Sequence, residues 1–281
     1  MLNLPYGSKL EVIEFSGEWL GVRQSIKRET TEDGKKVTRA RWEKVYVQKK
    51  STGELNEIQL SDEDMNIVLF FKKNDEYSKH LDGRVLDEDL KVELIDKQEY
   101  LFEKNNSFTH LKNDSHFKKM DGNIRIPCED NHIDFVDVND DIKEQYNEYK
   151  YLGKYDLLNK HLLEVKGGEG ISFVFVDTKE CKETSILQTY PQVSPDKKHL
   201  IGISNNEYEP AGKFVLYEVL GEEIKMIVSG GYKNWMPAAD YNEFFWSTNG
   251  YLYFPVLHVK AYWNEKGQYN NNYQYARMKV L

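Results

Sequence analysis

Two stretches of the chain share one pattern of polar and apolar positions. Val193-Ser194-Pro195-Asp196-Lys197-Lys198 is a polar turn that leads into the apolar run His199-Leu200-Ile201-Gly202-Ile203. Trp246-Ser247-Thr248-Asn249-Gly250 leads in the same way into Tyr251-Leu252-Tyr253-Phe254-Pro255-Val256. Short polar turns between apolar runs predict repeated strand-turn-strand units. A second echo joins residues 171–179 to residues 213–221: each is an apolar strand, and they lie about 41 residues apart, a blade-like spacing.

Upstream, residues 2–47 alternate strand signals with turns. Strict alternation puts Trp42, Lys44 and Tyr46 on one face and Val45 and Val47 on the other. Residues 48–150 are less regular. Ser61-Asp62-Glu63-Asp64 has the form of a capping box, whereas Ile67-Val68-Leu69-Phe70-Phe71 reads as a buried strand. Residues 86–97 fit a short helix or a strand, and residues 104–120 read as a long surface loop. Asp137-Val138-Asn139-Asp140-Asp141 reads as an acidic helix start, with Asn139 or Asp140 capping a helix over 142–151. A calcium loop fits less well, because Ile142 stands where the turn glycine belongs. In the last strand, alternation sends Tyr273, Tyr275, Arg277 and Lys279 outward and Ala276, Met278 and Val280 inward.

The expected fold is therefore mainly β with few short helices, in three regions. Residues 1–50 form a small barrel-like module, residues 51–150 an acidic mixed linker or insertion, and residues 151–281 a β-rich domain of about three blade-like repeats. That last domain is read as an open twisted sheet in preference to a closed ring.

Composition narrows the function. The formal charge of -9 is uneven: Lys and Arg against Asp and Glu number 11 to 7 in residues 1–50, 13 to 25 in 51–150 and 14 to 15 in 151–281. An acid-rich chain without a continuous basic face argues against a nucleic-acid partner, and the basic cluster at 27–41 reads as a solvated hairpin tip. Cys128 and Cys181 follow no metal spacing and fit two buried thiols or one disulfide. His110, His116 and His132 carry no ligand pattern that demands a metal, and no run approaches the ~20 apolar residues of a membrane helix. Ser194 and Ser247 lack a nucleophile elbow, and the glycine pairs lack the Lys-Ser/Thr of a phosphate loop. Neither catalysis nor a cofactor is expected. Aromatics interleaved with Asn, Gln and Gly suit recognition of a peptide, protein or sugar, which makes Trp235, Tyr251, Tyr262, Trp263, Tyr273 and Tyr275 candidate ligand-binding residues.

Two resemblances add to this. Leu4-Pro5-Tyr6-Gly7-Ser8-Lys9-Leu10-Glu11-Val12-Ile13-Glu14, followed by Gly17-Glu18-Trp19-Leu20-Gly21-Val22 and Trp42-Glu43-Lys44-Val45-Tyr46-Val47, resembles a bacterial SH3 domain whose usual first strand would lie before residue 1. The resemblance implies an SH3-like barrel that recognises peptides, often cell-wall peptides, in a groove lined by Trp19 and Trp42. It also implies a periplasmic or extracytoplasmic protein whose export signal has been removed; without such a signal the chain would be cytoplasmic. A missing first strand leaves an edge that invites oligomerisation. The two Ser-turns resemble the Ser-Pro-Asp-Gly-Lys element of TolB-type β-propellers, with Lys197 in place of the glycine. The expected function is a non-catalytic binding protein of the bacterial cell envelope. An immunity or inhibitor protein against a toxin or hydrolase is the alternative, and a cell-wall hydrolase the third reading.

Overall fold

In a computed structural model the described residues are 4, 6–32, 34–74, 76–78, 84–113, 117–140, 145–168, 170–206, 211–237, 241–263 and 266–281. The chain is mainly β and divides into two compact units, residues 1–58 with 263–270 and residues 59–262 with 271–281. Among the described residues no helix is long and apolar enough to cross a membrane.

The first unit is built on three antiparallel strands, β1 (Glu11–Ser16), β2 (Trp19–Glu32) and β3 (Lys35–Gln48), in the order β1-β2-β3. Gly17, in the left-handed region at φ 56°, makes the tight turn from β1 to β2. β2 and β3 pair from Trp19↔Gln48 to Glu32↔Lys35, whereas β1 covers β2 only from Trp19 to Arg23. Leu20 and Val22 are buried, and the alternating neighbours Trp19 and Arg23 are exposed, as a one-sided sheet requires.

The second unit opens with β4 (Ile67–Lys73), β5 (Glu76–Ser78), β6 (Arg84–Val85) and β7 (Leu90–Ile95), followed by helix α1 (Lys97–Lys104). Next come β8 (Ser107–Phe108), β9 (Leu111–Lys112), β10 (Asn123–Pro127), β11 (His132–Val136) and β12 (Val138–Asp140). They lead into β13 (Gln145–Tyr155), β14 (Lys160–Gly167), β15 (Gly170–Asp177), β16 (Glu183–Leu187), β17 (Gln192–Val193) and β18 (His199–Asn206). The unit ends with β19 (Ala211–Leu220), β20 (Glu223–Tyr232), β21 (Trp235–Pro237), β22 (Phe245–Ser247), β23 (Leu252–His258) and β24 (Gln274–Val280).

These strands form three larger sheets, β12-β13-β14-β15-β16, β17-β18-β19-β20-β4-β5 and β7-β24-β23-β22-β8, with β9, β6 and β21 attached to them in that order. Alternation stacks the sheets. Ile201, Ile203, Phe214 and Leu216 join Val68, Phe254 and Met278 in one apolar cluster, while Leu200, Tyr217 and Val219 join Leu162, Phe173 and Phe175 in another. The seven-stranded sheet thus lies between the other two. On the far side of the β12–β16 sheet, Ile124, Ile126 and Phe135 of the β10-β11 hairpin cover Leu163, Val165, Val174 and Val176. On the far side of the C-terminal sheet, Tyr100 of α1 packs with Phe245 and Tyr253.

Several expectations are corrected here. Residues 145–155 are strand β13 and not a helix, because Tyr149 and Tyr151 pack into the hairpin cluster while the backbone pairs with β14. Residues 141–144 of that expected helix, with position 142 of the calcium loop, lie outside the described residues, as does His116. Asp137 accepts the Tyr149 backbone N–H at 2.9 Å and pairs with Lys119 Nζ at 2.5 Å. The 104–120 stretch, expected as a loop, contributes β8 to the C-terminal sheet and β9 to β13.

The paired Ser-turns do the structural work that their composition implies. Ser194 Oγ donates to Asp196 Oδ1 at 2.6 Å and accepts the His199 backbone N–H at 3.0 Å, while Asp196 Oδ1 accepts from Lys198 N at 3.1 Å. In the second copy Asn249 Oδ1 accepts from Tyr251 N at 3.0 Å. Lys197 and Gly250 occupy matching left-handed positions at φ 64° and 83°. Cys128 and Cys181 form a disulfide that ties the end of β10 to the turn between β15 and β16.

Candidate binding face of the N-terminal sheet

On one face of the first unit, paired residues from the three strands run in rows: Ser16-Trp19-Gln48, Glu14-Gly21-Tyr46, Glu11-Arg23-Lys44 and Ser25-Trp42. Large aromatics on a sheet normally bury themselves against a second layer. These do not: Trp19 is 44% exposed, Tyr46 48% and Trp42 70%. Trp19 and Tyr46, diagonal neighbours across β2 and β3, line one shallow depression with Ser16. Trp42 lies on the same face, four residues from Tyr46 along β3, roughly 13 Å at the strand rise.

Gly21 is buried between its cross-strand neighbours Glu14 and Tyr46. A Cβ there would lie 2.9 Å from Glu14 Cβ and 3.4 Å from Tyr46 Cε1, so it is the close approach of Glu14 on β1 that position 21 admits by having no side chain. Polar contacts then hold the ring. Lys44 Nζ donates to Glu14 Oε2 at 2.6 Å and sits 5.6 Å from the Tyr46 ring centre, and the Tyr46 hydroxyl donates to the same carboxylate at 3.4 Å. The hydrogen bond and charge of Lys44 pull the Glu14 carboxyl below its ordinary value, and Glu14 in turn pushes the Lys44 ammonium up. At pH 7 the face therefore presents aromatic rings flanked by a fixed, internally neutralised ion pair. This arrangement can hold an apolar or aliphatic group by contact and its polar edges by hydrogen bonds.

Among the residues expected to bind a ligand, Trp19 and Trp42 are exposed on this face. Trp235 is 0% exposed: it stacks on Tyr232 at 4.0 Å, and its Nε1 donates to Met65 O at 2.9 Å, so it is core. Tyr262 is also buried, packed with Met236 and Leu257. Tyr251 is half-buried under Arg277 and Lys279, whose cations lie 4.7 and 5.5 Å from its ring centre. Tyr275 faces Tyr100 of α1 at 4.5 Å, and Arg277 donates to Glu99 of the same helix at 2.8 Å. On the face expected to point outward, Tyr275 and Arg277 are thus partly covered by α1 while Lys279 is exposed, and Ala276 and Met278 on the other face are fully buried as expected. Tyr273 is half-buried, with its hydroxyl on Asn271 at 3.1 Å. Trp263 stacks on Tyr269 at 4.4 Å in the first unit, and both are exposed. Trp235 and Tyr262 are therefore core residues and not surface ones. Tyr46, not among the residues expected to bind a ligand, joins Trp42 on this face, as the Trp42-Lys44-Tyr46 alternation implies.

Among the described residues no group of three or more His, Cys, Asp or Glu side chains could hold a metal ion. Comparison with protein-family models, curated proteins and solved structures finds no match for the chain.

Proposed function

We propose that the chain is a non-catalytic binding protein of the bacterial cell envelope that takes a peptide or cell-wall fragment on the aromatic face of its N-terminal sheet. The observation that carries this reading is the exposure of Trp19 and Tyr46 around one depression, on the same face as Trp42. Exposed aromatics offer large contact area and, with two side-chain torsions each, lose little entropy on binding. The resemblance of residues 4–47 to bacterial SH3 domains supports a peptide or wall ligand. The Cys128–Cys181 disulfide supports an oxidising, extracytoplasmic setting, since such bonds are rare in the cytosol of mesophiles.

The test is co-sedimentation of the purified full chain with peptidoglycan sacculi. The wild type is expected to pellet with sacculi, and Trp19→Ala to lose at least tenfold in apparent affinity while its unfolding transition stays within about 0.5 kcal/mol of the wild type. Retention of full binding by Trp19→Ala, or no sedimentation of the wild type, overturns the reading.

A further inference from the structure

Beyond Arg23 no third strand pairs with β2 or β3 among the described residues, and the two continue to Glu32↔Lys35 as a ribbon of about nine residue pairs, roughly 30 Å long. Both of its faces are exposed: Lys27, Arg28, Glu29 and Thr30 on β2 and Arg39, Ala40, Arg41 and Trp42 on β3 are all open to solvent. β3 is the terminal strand of its sheet, so its outer edge carries a row of backbone N–H and C=O groups that no described strand pairs. That edge is strongly basic. Lys35, Lys36, Arg39, Arg41 and Lys44 stand against the single acid Glu43, a formal +4 in a chain of net charge -9.

The charges are also arranged. Arg28 and Arg39 are directly opposite across the ribbon, and Arg41 is the next residue along β3 on that face. With Thr30 and Glu43 they line one depression, in which Arg28 donates to Glu43 at 2.6 Å. Like charges directly opposite on a sheet are destabilising. Lysines at the ribbon tip suffice to guard an edge against aggregation, and a facing arginine pair adds nothing to that guard. What Arg39 and Arg41 provide, two residues apart on one face of the edge strand, is a pair of guanidinium groups suited to carboxylates.

The charge also decides between occupants. Edge-to-edge pairing with a second copy would set +4 against +4. A nucleic acid would meet the charge, but it has no backbone that continues a β-ladder, whereas a peptide has. We propose that the outer edge of β3 receives an extended acidic peptide segment by strand addition, with Asp or Glu at alternate positions, spaced i and i+2, meeting Arg39 and Arg41. This deepens the reading of the N-terminal sheet as a recognition surface and uses a part of it remote from the Trp19 depression.

The experiment uses the full chain and fluorescein-labelled 12-residue peptides: alternating Glu-Thr, alternating Lys-Thr, and Glu-Thr with two central threonines replaced by Pro. Oligodeoxythymidine serves as a fourth probe. Anisotropy is expected to rise with Glu-Thr only, the affinity falling severalfold between 50 and 200 mM salt, with amide exchange slowed over residues 35–41. The double variant Arg39→Glu, Arg41→Glu is expected to lose at least tenfold, and Trp19→Ala to bind the peptide as the wild type does. Equal binding of the Pro-containing peptide would reduce the site to a polyanion patch and overturn strand addition. Tighter binding of oligodeoxythymidine, or no binding of Glu-Thr, would also overturn it. Because Trp19→Ala reports on the aromatic depression and the arginine pair on the edge, failure of one reading leaves the other separately measurable.

Discussion

Trp235 and Trp42 carry the same side chain in opposite settings, and the difference should be measurable. Trp235 is fully buried between Tyr232 and Phe254, with its indole N–H satisfied by Met65 O. Trp235→Ala leaves a large cavity and an unpaired carbonyl, and is expected to cost about 3–5 kcal/mol in urea unfolding. Trp42→Ala removes an exposed ring and should change stability by no more than about 0.5 kcal/mol. The sequence distinguishes these two only in part. Trp42 belongs to a long alternating strand whose other face is Val45 and Val47, so its outward direction can be read from the pattern. Trp235 lies on a three-residue strand, too short for alternation to declare a face, and its burial depends on Met65, 170 residues away. A second residue-scale expectation concerns Gly21: Gly21→Val would push Glu14 away and loosen the Glu14–Lys44–Tyr46 contacts, and should weaken binding at the depression when measured by the same co-sedimentation.

At the scale of elements, turns were the most legible part of the chain because their chemistry is local. Ser194 and Asp196 bond within five residues of themselves, so composition alone implies their geometry. Lys197 is the exception that proves informative, because a lysine at φ 64° bears a left-handed penalty that glycine avoids. Lys197→Gly is expected to stabilise the second unit by about 0.5–1 kcal/mol, read as an upward shift of the thermal midpoint, whereas Lys197→Val should lower it. β13 was misread for the converse reason. Its acidic lead-in mimics a helix cap, while what holds it as a strand is pairing with β14 and the packing of Tyr149 and Tyr151, neither of them local.

The turn from β15 to β16 adds a pH dependence. Asp177 Oδ1 accepts the backbone N–H groups of Glu180 and Lys179, and its other oxygen meets Lys160 Nζ at 3.3 Å. The Glu180 bond does most to hold the carboxyl below its ordinary 3.8; partial burial opposes it, and Lys179 N–H and Lys160 add to the lowering. The folded pKa is thus depressed, and as pH falls the unfolded chain takes up the proton first. The contribution is complete above about pH 4 and is lost as pH falls through the folded value. Asp177→Asn should cost about 1–3 kcal/mol at pH 7, and the gap to wild type should close progressively below pH 4.

For the molecule as a whole, residues 67–112 are the part that sequence reasoning placed least well, since they form no linker but lend strands to all three large sheets. β4 pairs with β20, β7 with β24, β8 with β22 and β9 with β13. Strands that complete distant sheets carry little periodicity of their own, because their neighbours, not their length, decide which residues are buried. At one side of the layered core so assembled, the β10-β11 hairpin lies against the β12–β16 sheet through a single apolar cluster. The hairpin is two-stranded, and such a pair is marginal without support. The Cys128–Cys181 bond supplies that support, closing a loop of 53 residues from the tip of the hairpin layer to the β15-β16 turn. Restricting a loop of that length in the unfolded chain is worth about 4 kcal/mol on the chain-entropy estimate. The paired substitution Cys128→Ser, Cys181→Ser should therefore reduce stability by about 2–4 kcal/mol. Amide exchange should rise first in residues 123–136 and only later in the sheet of β17–β20, because the hairpin has no other covalent tie while the inner sheet is packed on both faces. Uniform exchange across both regions would show instead that the unit unfolds as one and that the bond acts on its global stability alone.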